Sequence, residues 1–224
     1  MSTAIAGVLR RALRVHADPE IAVGMQAYMK TSQFFYGIKT PVRRGLLRDA
    51  LKKHPIEGQE AYEAAVRDLW YGKSREEMYL AVDLAEACRA YRTDASFPLY
   101  EEMLHSASNW DTVDGIAASL LGGLVRSNRA HERTVEHWIT DPNFWVRRAA
   151  LLVHLKHKKE TNTALLEKTI VALMHEKEFF IRKAIGWVLR EYAKTDPAWV
   201  RRFVARHEKG LSPLSKREAM KHLE

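Results

Sequence analysis

Trp110 and Asp114, in the run Ser108-Asn-Trp-Asp-Thr-Val-Asp114, stand four residues apart. A helix would therefore project an indole and a carboxylate from one face, one turn from each other. Such a carboxylate can stabilise developing positive charge, and the ring can hold a cationic group against its face. Two readings fit the pair by itself: a half-buried core tryptophan beside a helix-start aspartate, or one wall of a cleft. Asp111 has the simpler use of complementing the positive end of the helix. Other reactive side chains do not converge. His154 and His157 lack nearby Cys, Asp or Glu at ligand spacing and have lysines around them, so no metal is expected. Gly122-Gly123 lies in an apolar helical run and reads as close helix packing, because no phosphate-cradling pattern accompanies it. No lysine is positioned for Schiff-base chemistry.

The elements that must position these residues are helical throughout. Apolar residues recur at helical rather than alternating spacing, and no hairpin dipeptide separates alternating runs. Thr40-Pro41, Asp141-Pro142 and Asp196-Pro197 each read as an N-cap followed by proline at the first helical position. Ser74-Arg-Glu-Glu77 and Ser215-Lys-Arg-Glu218 match the capping box. The pattern predicts helices near 3–15, 19–31, 41–53, 59–71, 75–91, 96–105, 109–126, 129–139, 142–158, 162–175, 177–194, 197–208 and 215–223. Phe144-Trp-Val-Arg-Arg-Ala149 returns 35 residues later as Phe179-Phe-Ile-Arg-Lys-Ala184. Short connections and a repeat of this length predict an all-α fold, a HEAT-like repeat α-solenoid of antiparallel helix pairs forming one domain over 1–224. Stacked pairs of that kind make a concave face, and Arg147 with Arg148, then Arg182 with Lys183, fall on the helices expected to line it.

Charge points to the partner. The net charge of +8 is not evenly spread: residues 145–224 carry 18 Lys and Arg against 9 Asp and Glu, while residues 1–144 are close to neutral. A segregated basic third attracts a polyanion, nucleic acid first and an acidic membrane surface second. A hydrophobic content of 46% is enough to build a sizeable core, which excludes disorder. With Cys88 as the single cysteine no internal disulfide can form, and a reducing, cytoplasmic location is expected. Arg10, Arg11 and Arg14 interrupt the N-terminal apolar run, and no stretch reaches the roughly 18 apolar residues of a membrane span.

Four stretches together are specific: Phe34-Phe-Tyr-Gly-Ile-Lys-Thr-Pro-Val-Arg-Arg44, Asn109-Trp-Asp-Thr-Val-Asp114, Phe144-Trp-Val-Arg-Arg148 and Phe179-Phe-Ile-Arg-Lys-Ala-Ile-Gly-Trp-Val-Leu-Arg-Glu-Tyr-Ala-Lys194. With Pro213-Leu-Ser-Lys-Arg-Glu-Ala219 near the end, they make the chain from about Tyr28 onward resemble the AlkD-like family of bacterial DNA glycosylases. The resemblance implies a concave basic DNA-binding face and a DNA repair enzyme. It would excise cationic N3- or N7-alkylated purines from double-stranded DNA without a cofactor, leaving most of the lesion stacked. It assigns the family's cleft tryptophans to Trp110 and Trp187, its catalytic aspartate to Asp114 and its cleft arginine to Arg148, whose fixed fork of donors suits a backbone phosphate or, in the plainer reading, an exposed pairing with a glutamate. Tyr28 is expected to touch the opposite strand or to pack in the core. Lys156, Arg182, Lys183, Arg190 and Lys194 are candidate phosphate contacts, as are Lys158 and Lys159. A monomer is expected. The alternative expectation is a non-catalytic HEAT-like module that binds unusual DNA structures, with a protein-interaction scaffold behind it.

Overall fold

A computed structural model describes residues 3–223. These residues are helical with no strand among them, and they form two compact units, the first ending at Ser96 and the second beginning at Phe97.

The first unit holds α1 (Ala4–Val15), α2 (Pro19–Met29), α3 (Thr40–Lys53), α4 (Gln59–Trp70) and α5 (Arg75–Ala87). Helices α1 and α5 each pack on α3 and α4, and Leu9, Leu13, Leu69, Leu80 and Leu84 meet in its core without solvent exposure. The capping box predicted at the start of α5 is present: Ser74 accepts from the backbone N–H of Glu77, and Glu77 accepts from that of Ser74. Thr40-Pro41 behaves differently. Thr40 is already helical, and Lys39 precedes it without any side-chain cap. The turn at Gly37 has a positive φ of 83°, and a Cβ there would lie 2.0 Å from the carbonyl oxygen of Asp18, so only glycine fits. The buried carboxylate of Glu76 takes the backbone N–H groups of Tyr36, Gly37 and Ile38 at 2.8–3.2 Å, satisfying donors that this irregular segment would otherwise bury unpaired.

The second unit holds α6 (Phe97–Ser106), α7 (Trp110–Gly115), α8 (Gly122–Ser127), α9 (Glu132–Trp138), α10 (Phe144–Leu152), α11 (Thr163–Leu173), α12 (Phe179–Ala193), α13 (Pro197–Arg206) and α14 (Pro213–Met220). Its central element is α10, which packs on α7 before it and α12 after it, the nearest-neighbour stacking of helical repeats. Two cap expectations shift here. Asn143, not Asp141, caps α10, accepting from the Trp145 N–H at 2.9 Å, because Asp141 spends its side chain on the Asn143 N–H. Helix α14 starts two residues early, at Pro213, capped by Ser212. Ser215 therefore lies inside the helix, where its hydroxyl donates to the Arg182 carbonyl at 2.9 Å instead of forming a capping box. Asp196 caps α13 as predicted, accepting from Trp199.

The helix predicted at 109–126 is continuous but not uniform. Between α7 and α8, residues Ile116–Leu121 form a π-helical turn. Such a turn takes in one extra residue, which rotates the preceding turns by about 100° relative to the later ones. Gly122 explains the crowding beside it: a Cβ at this position would lie 2.6 Å from the Val153 carbonyl oxygen. The close packing inferred for Gly122-Gly123 therefore belongs to Gly122, since a Cβ on Gly123 would meet nothing within 4 Å.

Candidate functional site

Asp114 lies one turn into α7, and its carboxylate is gripped by Arg148 from the middle of α10. Nε of Arg148 donates to Oδ1 at 2.8 Å and Nη2 donates to Oδ2 at 2.9 Å, a two-pronged pair. The third prong of the guanidinium, Nη1, donates to the carbonyl of Phe180 at the start of α12. One side chain thus joins three successive repeat helices. The Arg148 side chain is only 4% exposed and that of Asp114 17%. Burial pushes the Asp114 carboxyl up from its ordinary value, Arg148 opposes this by hydrogen bond and charge, and Asp111 adds to the rise.

The two tryptophans flank this pair along the same helices. Trp110 is the first residue of α7 and half-buried, its backbone N–H held by the Asn109 side chain at 2.8 Å. Trp187, also half-buried, stands two turns beyond Phe180 on the same face of α12, roughly 10 Å along the axis. What lets α12 hold that position is Gly186. A Cβ there would come within 2.5 Å of the Glu218 Cβ and 3.0 Å of the Ser215 carbonyl oxygen, so α14 packs directly against the α12 backbone. Aromatic rings line the start of the two helices. The Phe180 ring lies tilted against Trp145 with centres 4.8 Å apart, and the Arg148 guanidinium lies 5.9 Å from the Phe180 ring centre.

The basic residues fall into two groups. Arg147 binds both oxygens of Glu176 at 2.7 and 2.9 Å, and Arg182 donates to the Glu176 backbone carbonyl. Lys183 and Arg190 both grip Glu218, and the Lys183 bond holds the Glu218 carboxyl below its usual range. The paired cations of each repeat are thus bonded within the fold. Lys156 and Lys194 are exposed at the far ends of their helices, Lys156 donating to Ser119 and Lys194 to Glu191. Tyr28, on α2 of the first unit, is 74% exposed, which removes the core-packing alternative. Among the described residues no group of three or more His, Cys, Asp or Glu side chains could hold a metal ion, and no helix is long and apolar enough to cross a membrane. Sequence reasoning missed Glu176 and Glu218, whose only signal is that each falls within reach of a repeated basic pair once the helices stack.

The family model for DNA alkylation repair enzymes matches residues 9–223. No curated relative matches the chain. Among solved structures, one described as a predicted DNA alkylation repair enzyme from Enterococcus faecalis is similar at 35% identity and a TM-score of 0.84, covering 92% of this chain and 96% of its own.

Proposed function

The chain belongs to the DNA alkylation repair enzyme family, and from that premise we propose that it hydrolyses the N-glycosidic bond of cationic N3- or N7-alkylated purines in duplex DNA, leaving an abasic site. The observation that carries this reading is the buried Asp114–Arg148 pair with tryptophans on both flanking helices. Alkylation at N3 or N7 puts a positive charge on the purine ring, so the base leaves without prior protonation and no general acid is required. What needs stabilising is the deoxyribose as it acquires oxocarbenium character. A carboxylate about 4 Å from that charge is worth roughly 4 kcal/mol at an effective dielectric near 20, on the order of a thousandfold in rate. Asp114 supplies the carboxylate and can orient the attacking water. Trp110 and Trp187 offer ring faces to the cationic base and its sugar, at roughly 0.5 to 2 kcal/mol each.

Arg148 takes a role that its sequence position did not suggest. Its fork favours the ionised form of Asp114 against the effect of burial and fixes the plane of the carboxylate, which makes it first a positioning residue. One N–H on each terminal nitrogen remains for a backbone phosphate.

The test is incubation with duplex DNA carrying N7-methylguanine, followed by chromatography for free base. Release above the spontaneous rate is expected. Asp114→Asn should depress it by one to three orders of magnitude with little loss of duplex binding, since the charge acts mainly in the transition state. The competing reading, a non-catalytic DNA-binding module, draws on one observation: both oxygens of Asp114 are already bonded to Arg148. Absence of base release from the wild-type protein would decide for it.

A further inference from the structure

Arg148 and Lys183 occupy the same position in successive repeats, 35 residues apart, and each holds one carboxylate. Arg148 reaches back to Asp114 on α7, while Lys183 reaches forward to Glu218 on α14, its Nζ 2.7 Å from Oε1. The two pairs stand in a similar relation to the tryptophans. Trp110 is four residues before Asp114 and Trp187 is four residues after Lys183, so each indole projects one helical turn from a member of a pair. In the proposed excision the first pair has a part and the second has none.

Glu218 holds a further residue. Its other oxygen, Oε2, accepts from Nη1 of Arg190. Arg190 lies three residues beyond Trp187, so positions 183, 187 and 190 share one face of α12. A single carboxylate thus ties the cation one turn before the indole to the cation one turn after it. The anchor is firmly seated. The Glu218 side chain is 13% exposed, and its Cβ and Cγ fill the space that a side chain at Gly186, the residue next to Trp187, would take. Trp187 itself makes no hydrogen bond, ion pair or ring contact among the described residues. Long basic side chains left loose on either side of it would sample many rotamers.

We infer that Glu218 is a positioning residue for Trp187: by pinning Lys183 and Arg190 toward α14 it walls one side of the indole and fixes the ring before substrate arrives. What the ring then meets, the cationic base and its sugar, rests on the excision reading above. A ring ordered in advance loses less freedom on binding and stands in the geometry that the reaction uses.

The experiment uses the full chain, with the indole N–H signal of Trp187 identified in NMR spectra by its loss in Trp187→Phe. Glu218→Gln keeps the side-chain shape against Gly186 and removes the charge that holds both cations. In the free protein the Trp187 signal should shift and broaden in this variant, and Lys183→Gln/Arg190→Gln should move it in the same way. A signal unmoved in Glu218→Gln, or moved there but not in the cation variant, would overturn the inference. On duplex DNA carrying N7-methylguanine, single-turnover release should fall about three- to tenfold in Glu218→Gln, while affinity for a duplex with an inert tetrahydrofuran abasic-site analogue stays within about twofold. In a Trp187→Phe background the substitution should have no further effect on release, because two changes acting through one residue are not additive. Losses that multiply would show a general structural role and reject the assignment. Tighter duplex binding with a steeper salt dependence would also reject it, making Glu218 a screen over the two cations. The Trp187 signal is read without DNA, so a wild-type protein that releases no base still leaves the positioning of the ring decided. Normal excision with an unmoved signal would remove the role of Glu218 alone.

Discussion

Burial and a guanidinium pull the Asp114 carboxyl in opposite directions, and the balance sets its proton affinity. The ionised form is the one that can meet a sugar cation, so activity should fall as pH drops through a value above that of an ordinary carboxylate. Removing Arg148 removes the opposing pull. Arg148→Gln should therefore move the acid limb of the single-turnover excision profile to higher pH and cost one to two orders of magnitude near neutrality. A limb that stays in place would mean that Arg148 does not govern the charge of Asp114. His154 presents the opposite sign. Burial, with His157 and Arg129 nearby, lowers its pKa from 6.5 to about 3. Between those values the unfolded chain binds the extra proton, so the stability contributed by the neutral ring is present above pH 6.5 and lost as pH falls towards 3. By pH 4.5 the loss should reach about 2 to 3 kcal/mol. Urea unfolding at pH 7 and 4.5 should show a smaller drop for His154→Leu than for wild type.

At the scale of elements, the site depends on how closely backbones approach. Helix α12 carries Phe180, Trp187 and the cations Lys183 and Arg190, and it is seated by α14 through Gly186. The nearest obstacles to a methyl group at Gly186 are a Cβ and a backbone carbonyl, neither of which can swing away. Gly186→Ala should cost about 1 to 3 kcal/mol by overpacking, and the accompanying shift of α12 should slow base release even where the protein stays folded. Unchanged thermal stability would show that α14 yields more easily than its contacts suggest. The π-helical turn after Asp114 belongs to the same scale. It changes the phase between the site-bearing turn and the apolar face of Ile116, Leu120 and Leu124 that anchors the helix. Wide turns of this type are frequent beside functional groups.

Across the whole molecule, the basic excess of residues 145–224 is smaller in effect than its count. Arg147, Arg148, Lys183 and Arg190 pair with carboxylates of neighbouring helices, and of the exposed Lys156, Lys158, Lys159 and Lys194 at the α10 and α12 ends, Lys194 also pairs with Glu191. Three or four phosphate contacts predict a fall in duplex affinity of about 40- to 150-fold between 50 and 200 mM salt. Affinity indifferent to salt would exclude these lysines as the grip on DNA.

What could be read in the sequence alone was local. Helix spans, the Ser74 and Asp196 caps, the close approach at Gly122 and the basic third depend on spacing and residue type within a few positions, and they recur in the structure. Asp141 and Ser215 do not cap where their positions predict, because a second polar residue two or three positions away competes for the same backbone donors, and local propensity does not rank them. Tertiary structure alone decided which carboxylate each cation meets. Arg148 finds Asp114 across 34 residues and Lys183 finds Glu218 across 35. Opposite charge says only that a partner is wanted. The register in which one repeat stacks on the next says which partner lies within 3 Å, and in this protein it sets the guanidinium of Arg148 against both oxygens of Asp114.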